Sequence, residues 1–124
     1  MKKEFRDQWM DALRSGQYQK ARGAMYKDGA VCALGVLCET LGVERIDKEG
    51  PNSFYHYQGE YAAARLPEKL AEDVGLSRDD QIRVAFWNDE MNLSFRKIAE
   101  LVFAEISEET EVCSVDQKIP KEKR

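Results

Sequence analysis

The stretch CALGVLCETLG, residues 32–42, decides the fold, because it is a nearly unbroken apolar run that ends in a glycine. The positions that share one helical face are Leu34, Leu37, Cys38 and Leu41. This spacing predicts a short buried helix that begins near Gly35. A helix that is apolar nearly all round belongs in a core, and the flanking segments are interpreted from there.

Two elements are predicted before this run. In residues 3–15 the apolar side chains recur at the spacing of one helical face, and Gly16 stands where a C-terminal glycine cap belongs. Further along, the helical period is lost, and Asp28-Gly29 lies between two short runs. That dipeptide readily adopts positive φ angles, so it predicts a hairpin turn.

Four elements are predicted after it. The aromatic run SFYHYQ, residues 53–58, is bounded by loop residues and suits a third strand. The segment LPEKLAEDVGL predicts a helix with proline in its first turn and Gly75 at its end. Ser77, with Asp80 three residues on, predicts the N-terminus of a further helix, and Ser94 can cap a last one.

Together these elements predict a single α+β domain over residues 1–106. Its small antiparallel sheet, a hairpin plus a third strand, is flanked by about five helices. Residues 107–124 are charged and are expected to form a partly disordered tail. At 124 residues, with 43% hydrophobic and 34% charged residues, the composition is that of a globular protein.

The sequence indicates a cytoplasmic protein. Acidic residues interrupt the N-terminal apolar runs, so no signal peptide is predicted, and no apolar stretch has the roughly 20 residues of a membrane span. We therefore expect no membrane contact. An odd count of three cysteines fits reduced thiols better than disulfides.

No catalytic, metal or cofactor site is predicted. Cys32 and Cys38 are too far apart for the close pairs of a zinc site, and Cys113 is distant, so the first two are interpreted as small core residues. His56 is the only imidazole, and we expect it to pack its ring on aromatic neighbours in a strand. Because phosphate-cradling glycine motifs are also absent, we predict a protein that is not an enzyme.

A basic segment, ALRSGQYQKARGAMYK at residues 12–27, contrasts with a chain of formal net charge -4. Arginine suits phosphate oxygens, and tyrosine offers a stacking surface. Strand alternation would point Lys20, Arg22 and Tyr26 toward one face. The predicted ligand-binding residues are Arg14, Tyr18, Gln19, Lys20, Arg22, Tyr26, Lys27, Trp87 and Asn88. The alternative is a solvated surface, or one that pairs with the acidic tail or a second subunit.

Over residues 5–106 the chain resembles a family of small phage and prophage proteins. The motifs that carry the resemblance are a tryptophan-led first helix with its SGQY turn, LGVLC, the LPE helix start, and WND followed by SFRKIA. The resemblance implies a phage protein in the cytoplasm of a bacterial host. By analogy with other phage accessory proteins, it also suggests sequestration of a nucleotide signal used in bacterial immunity.

The leading hypothesis is therefore a non-enzymatic phage accessory protein that binds an anionic small molecule, such as a cyclic nucleotide, as an anti-defence function. One alternative is a protein-interaction module that inhibits or redirects a host protein through exposed Tyr55, Tyr57 and Tyr61. Another is a small DNA-binding regulator, since LSFRKIAELV resembles the first helix of a helix-turn-helix. The acidic residues that follow argue against nucleic acid as a partner. A homodimer is compatible with an exposed hairpin edge.

Overall fold

The computed structural model describes residues 1–47 and 53–107, which form five helices and two small antiparallel sheets. The helices are α1 (Lys3–Arg14), α2 (Ala33–Thr40), α3 (Glu68–Val74), α4 (Arg78–Asp89) and α5 (Phe95–Glu105). The strands are β1 (Tyr26–Lys27), β2 (Ala30–Val31), β3 (Glu44–Asp47), β4 (Ser53–Tyr57) and β5 (Glu60–Ala62). The predicted α+β class is confirmed. The predicted tail beyond Ser107 lies outside the described residues.

The local signals for helix ends are confirmed. The Ser77 hydroxyl accepts a hydrogen bond from the backbone N–H of Asp80, 3.1 Å away, at the start of α4. Ser94 caps α5 in the same way through the N–H of Lys97, also at 3.1 Å. Gly75 ends α3 with a φ of 77°, a left-handed conformation that suits glycine.

The hairpin is confirmed, but its strands are short. Asp28 and Gly29 have φ angles of 52° and 84°, as a two-residue hairpin turn requires. β1 and β2 each contain two residues, and neither Lys20 nor Arg22 lies in either of them. Lys20 forms only an isolated parallel bridge with Val31, so strand alternation does not orient these side chains as predicted. Lys20 and Arg22 nevertheless reach the same element, the end of α4, whereas Tyr26 packs against Arg45.

The predicted third strand is present as β4, and it pairs with β3 and β5 in a sheet of its own. β3 and β5 were not predicted. β4 and β5 are joined by a tight turn at Gln58 and Gly59, whose φ angles are 48° and 87°. Short connections bring neighbouring strands together, so β4 pairs locally instead of extending the β1–β2 hairpin.

α2 is the centre of the core. All its residues from 33 to 38 are buried, and it contacts α1 on one side and α4 on another. α1 also packs along α5. Trp9 of α1 is fully buried and donates its indole N–H to the Ala33 carbonyl at 2.8 Å, which joins the first two helices. The apolar run from which the fold was predicted is thus covered by helices on several sides.

Candidate functional site

The predicted basic segment lies against the C-terminal end of α4. Lys20 donates to the Asn88 carbonyl at 2.9 Å and to Asn92 Oδ1 at 2.6 Å. Arg22 donates from Nε and Nη2 to the Asp89 carbonyl, at 3.0 and 2.6 Å. The last turn of α4 has no basic residue of its own, so these two cations supply the positive charge that a helix C-terminus favours. Both side chains are thus engaged by the protein itself.

Asn88 is a structural residue at this junction. It is 0% exposed, its Oδ1 accepts from the Ala33 N–H at 3.1 Å, and its Nδ2 donates to the Ala21 carbonyl at 2.8 Å. Cys32, the residue before α2, makes no side-chain cap. Asn88 therefore caps α2 from another helix and joins α4 to the basic segment at the same time.

The other predicted binding residues differ in their surroundings. Arg14, Gln19 and Lys27 are exposed, and neither Arg14 nor Lys27 forms an ion pair with any described residue. The Tyr26 ring lies 4.0 Å below the Arg45 guanidinium. Two more of the set, Tyr18 and Trp87, pack in or against the core. Ligand binding by these residues stays a prediction.

The aromatic strand β4 holds two sets of side chains. His56 stacks on Tyr61 with ring centroids 4.6 Å apart, as expected for a ring packed on an aromatic neighbour, and its Nδ1 lies 2.7 Å from Glu44. Tyr55 is fully buried, and Tyr57 is half-buried with its hydroxyl bonded to an α3 carboxylate. The prediction of three exposed tyrosines is therefore wrong, since only Tyr61, at 65%, is exposed.

Cys32 and Cys38 are buried free thiols, which confirms that they serve as small core residues. Cys113 lies outside the described residues. Burial raises the pKa of the Cys32 thiol to about 11 and also raises the pKa of the Cys38 thiol. Within residues 1–47 and 53–107, no group of three histidine, cysteine, aspartate or glutamate side chains could hold a metal ion.

These thiols should resist alkylation in the native protein. Because the thiolate is the reactive form and both sulfurs are buried, we expect iodoacetamide at pH 7.5 to modify less than about a tenth of Cys32 and Cys38 within an hour. Full modification is expected in urea. Mass spectrometry of the separate peptides measures each site. Rapid native modification of either cysteine would contradict the buried environment.

A cavity of about 660 Å³ lies between the β5–α3 connection, α3 and the first turn of α4, and we name it the α3–α4 cavity. Residues 62–66 form one wall, with three alanines in succession, and Ala71 and Leu76 contribute further small or apolar surface. Its volume is within the range of small-molecule sites. The wall of alanines lets a flat group approach the backbone closely.

Charges of both signs line this cavity without pairing. Arg65 and Arg78 are exposed and make no hydrogen bond or ion pair with the described residues through their side chains. Glu68 and Glu72 lie one turn apart on α3 and line the same cavity, and neither carboxylate is within ion-pair distance of a described cation. All four charges are therefore available to a ligand.

Gln81 of α4 completes the cavity. The residue is only 5% exposed. Its Oε1 accepts a hydrogen bond from the Leu66 N–H at 3.1 Å, and this bond defines the orientation of the side-chain amide. Its Nε2 has no hydrogen-bond partner in the part of the chain that the structure describes. Because Gln81 lines the cavity, two N–H donors remain for a ligand.

Sequence reasoning missed this cavity. The signals were the AAAR segment that ends in Arg65, placed between a predicted strand and the LPE helix start, and Arg78 directly after a predicted helix cap. Neither signal shows that Arg65 and Arg78 line the same cavity, because the path of the intervening helix α3 decides how close they lie.

The family that matches the chain is described as a domain of unknown function (DUF8296), and the match covers residues 1–72. No curated protein and no solved structure is detectably similar to the chain. The match contains the alanine wall and Glu68 but stops before Arg78 and Gln81. Among the described residues, no helix combines the length and the apolar character needed to cross a membrane.

Proposed function

This chain belongs to the family described as a domain of unknown function (DUF8296), and we propose that it is a non-enzymatic protein that binds an anionic small molecule in the α3–α4 cavity. The observation that carries the proposal is the pair of arginines, Arg65 and Arg78, at a cavity of about 660 Å³ with no carboxylate of the described chain paired to them.

The electrostatics of the cavity favour an anion at the arginine side. A guanidinium offers a planar fork of N–H donors that matches carboxylate and phosphate oxygens. Arg78 is also the first residue of α4, a helix of 12 residues whose N-terminus carries a partial positive charge. The glutamates line the cavity from α3, so the ligand must place its negative group near the arginines.

Binding without catalysis is supported by the chemistry of the lining. The described residues around the cavity include no histidine and no cysteine, and the Ser77 hydroxyl is occupied as the cap of α4. Small alanines and Leu66 provide surface for an uncharged part of the ligand. The phage resemblance makes the cyclic nucleotides of bacterial immunity the first ligands to test.

Titration calorimetry and thermal unfolding with nucleoside monophosphates and cyclic di- and trinucleotides test the proposal. At a ligand concentration of 100 times Kd, binding to the native state adds about 2.7 kcal/mol to the free energy of unfolding, so the melting temperature rises by several degrees. Arg65→Ala and Arg78→Ala should each weaken binding about tenfold or more, because each removes a charge-assisted contact.

The matched control is Arg96→Ala, since Arg96 is an exposed arginine on α5 away from the cavity. Its affinity should equal that of the wild type. If Arg22→Ala abolishes binding while Arg78→Ala leaves it unchanged, the basic segment is the site and the proposal is wrong. It is equally wrong if neither these nucleotides nor pyrophosphate shifts the melting temperature.

The other two hypotheses stay predictions. Two large apolar side chains of α4, Ile82 and Phe86, are exposed at 49% and 52%, which is compatible with a protein partner. The recognition helix that a helix-turn-helix would need after α5 falls on residues beyond Ser107, outside the described range.

A further inference from the structure

We infer that the α3–α4 cavity recognises a guanine nucleotide, an inference that rests on the proposed function and adds the identity of the base. Apart from the Ser77 hydroxyl, which caps α4, the polar side-chain groups that line the cavity are of three kinds: guanidinium groups, glutamate carboxylates and the free amide N–H groups of Gln81. A ligand that satisfies all three must combine an anion, paired N–H donors and an adjacent acceptor.

The carboxylates select for donors. Glu68 and Glu72 are four residues apart, so they project from the same side of α3, and both line the cavity without a cation of the described chain beside them. An ionised carboxylate only accepts hydrogen bonds and offers two oxygens side by side. It therefore binds best to two neighbouring N–H groups on one edge of a ligand.

Gln81 selects for an acceptor. Its Oε1 is held by the Leu66 N–H, so the amide cannot turn over without breaking that bond, and Nε2 is left as a donor. The residue is only 5% exposed, and Nε2 has no hydrogen-bond partner among the described residues. A ligand carbonyl oxygen at the cavity would satisfy it.

Guanine is the base that meets both demands. Its N1–H and its amino group lie side by side and match the two oxygens of a carboxylate, while its O6 is an acceptor on the next position of the ring. Adenine presents a ring nitrogen acceptor where guanine has N1–H, which a carboxylate would repel. The alanines of residues 62–64 let a planar base lie against the wall, with its phosphate at Arg65 and Arg78.

Calorimetry with GMP, IMP, AMP and CMP at one salt concentration tests the inference. GMP should bind at least about tenfold more tightly than AMP or CMP, since a lost pair of hydrogen bonds to a charged group is worth 1.4 kcal/mol or more. IMP, which lacks only the amino group, should bind between GMP and AMP. The double variant Glu68→Gln/Glu72→Gln should lose the preference for GMP and bind AMP as the wild type does.

The control for that variant is Glu4→Gln/Glu90→Gln, because both residues are exposed glutamates outside the cavity. It should keep the preference for GMP. Equal binding of all four nucleotides, weakened in each case by Arg78→Ala, would overturn the guanine assignment and leave the proposed function standing. Pyrophosphate binding that depends on Arg78, with no nucleotide binding, would also overturn the guanine assignment and leave the proposed function standing. Failure of every anion to bind would overturn both.

Discussion

Gly35→Ala is expected to lower the free energy of unfolding by about 3 kcal/mol, although the same change at an exposed helix position raises it by about 1 kcal/mol. A methyl group at Gly35 would overlap the Met25 carbonyl oxygen and would lie 3.2 Å from Cβ of Val31. That carbonyl oxygen accepts from the Cys32 N–H at 3.1 Å, just before α2. The substitution therefore forces α2 away from the hairpin segment and strains this bond.

Urea unfolding followed by circular dichroism measures the effect, and the melting temperature should fall by roughly 10 °C. Ala104→Gly on the exposed side of α5 is the control for helix propensity, and it should cost about 1 kcal/mol. A Gly35→Ala protein that is as stable as the wild type, or more stable, would show that the backbone of α2 does not approach Met25 so closely.

Asn88→Ala should also destabilise the fold by about 3 kcal/mol. The truncation leaves two buried backbone groups without partners, the N–H of Ala33 and the carbonyl of Ala21, and each costs about 1 to 3 kcal/mol. It also removes volume at a position that is 0% exposed. Because the side chain contacts α2 and the basic segment together, both should loosen in hydrogen exchange.

Asn92→Gly provides the matched comparison. Asn92 is exposed with a φ of 52°, which glycine accommodates, and its side chain accepts one hydrogen bond, from Lys20. We expect a loss below about 1 kcal/mol. If Asn88→Ala were no more destabilising than Asn92→Gly, the interpretation of Asn88 as the cap of α2 would be wrong.

The helix ends and the hairpin turn could be predicted because they depend on neighbours in the sequence. Ser77 and Ser94 each bond to an N–H three residues on, and Asp28-Gly29 adopts its own turn. The strands β3 and β5 were missed for the opposite reason. β3 has no fully buried residue, and an edge strand of four residues needs a partner before its pattern is visible.

The sequence by itself determined the number of helices, the starts of α4 and α5, the end of α3, the hairpin turn and the burial of residues 32–38, since each follows from spacing and local caps. The start of α2 was predicted near Gly35 but lies at Ala33, where the cap is Asn88 of another helix. It also made the basic composition of residues 12–27 visible. Only the tertiary structure decided that Lys20 and Arg22 bind the end of α4 while Arg65 and Arg78 line a cavity. The residue type shows the sign of each charge, but the group that each charged side chain binds depends on contacts between residues far apart in the chain.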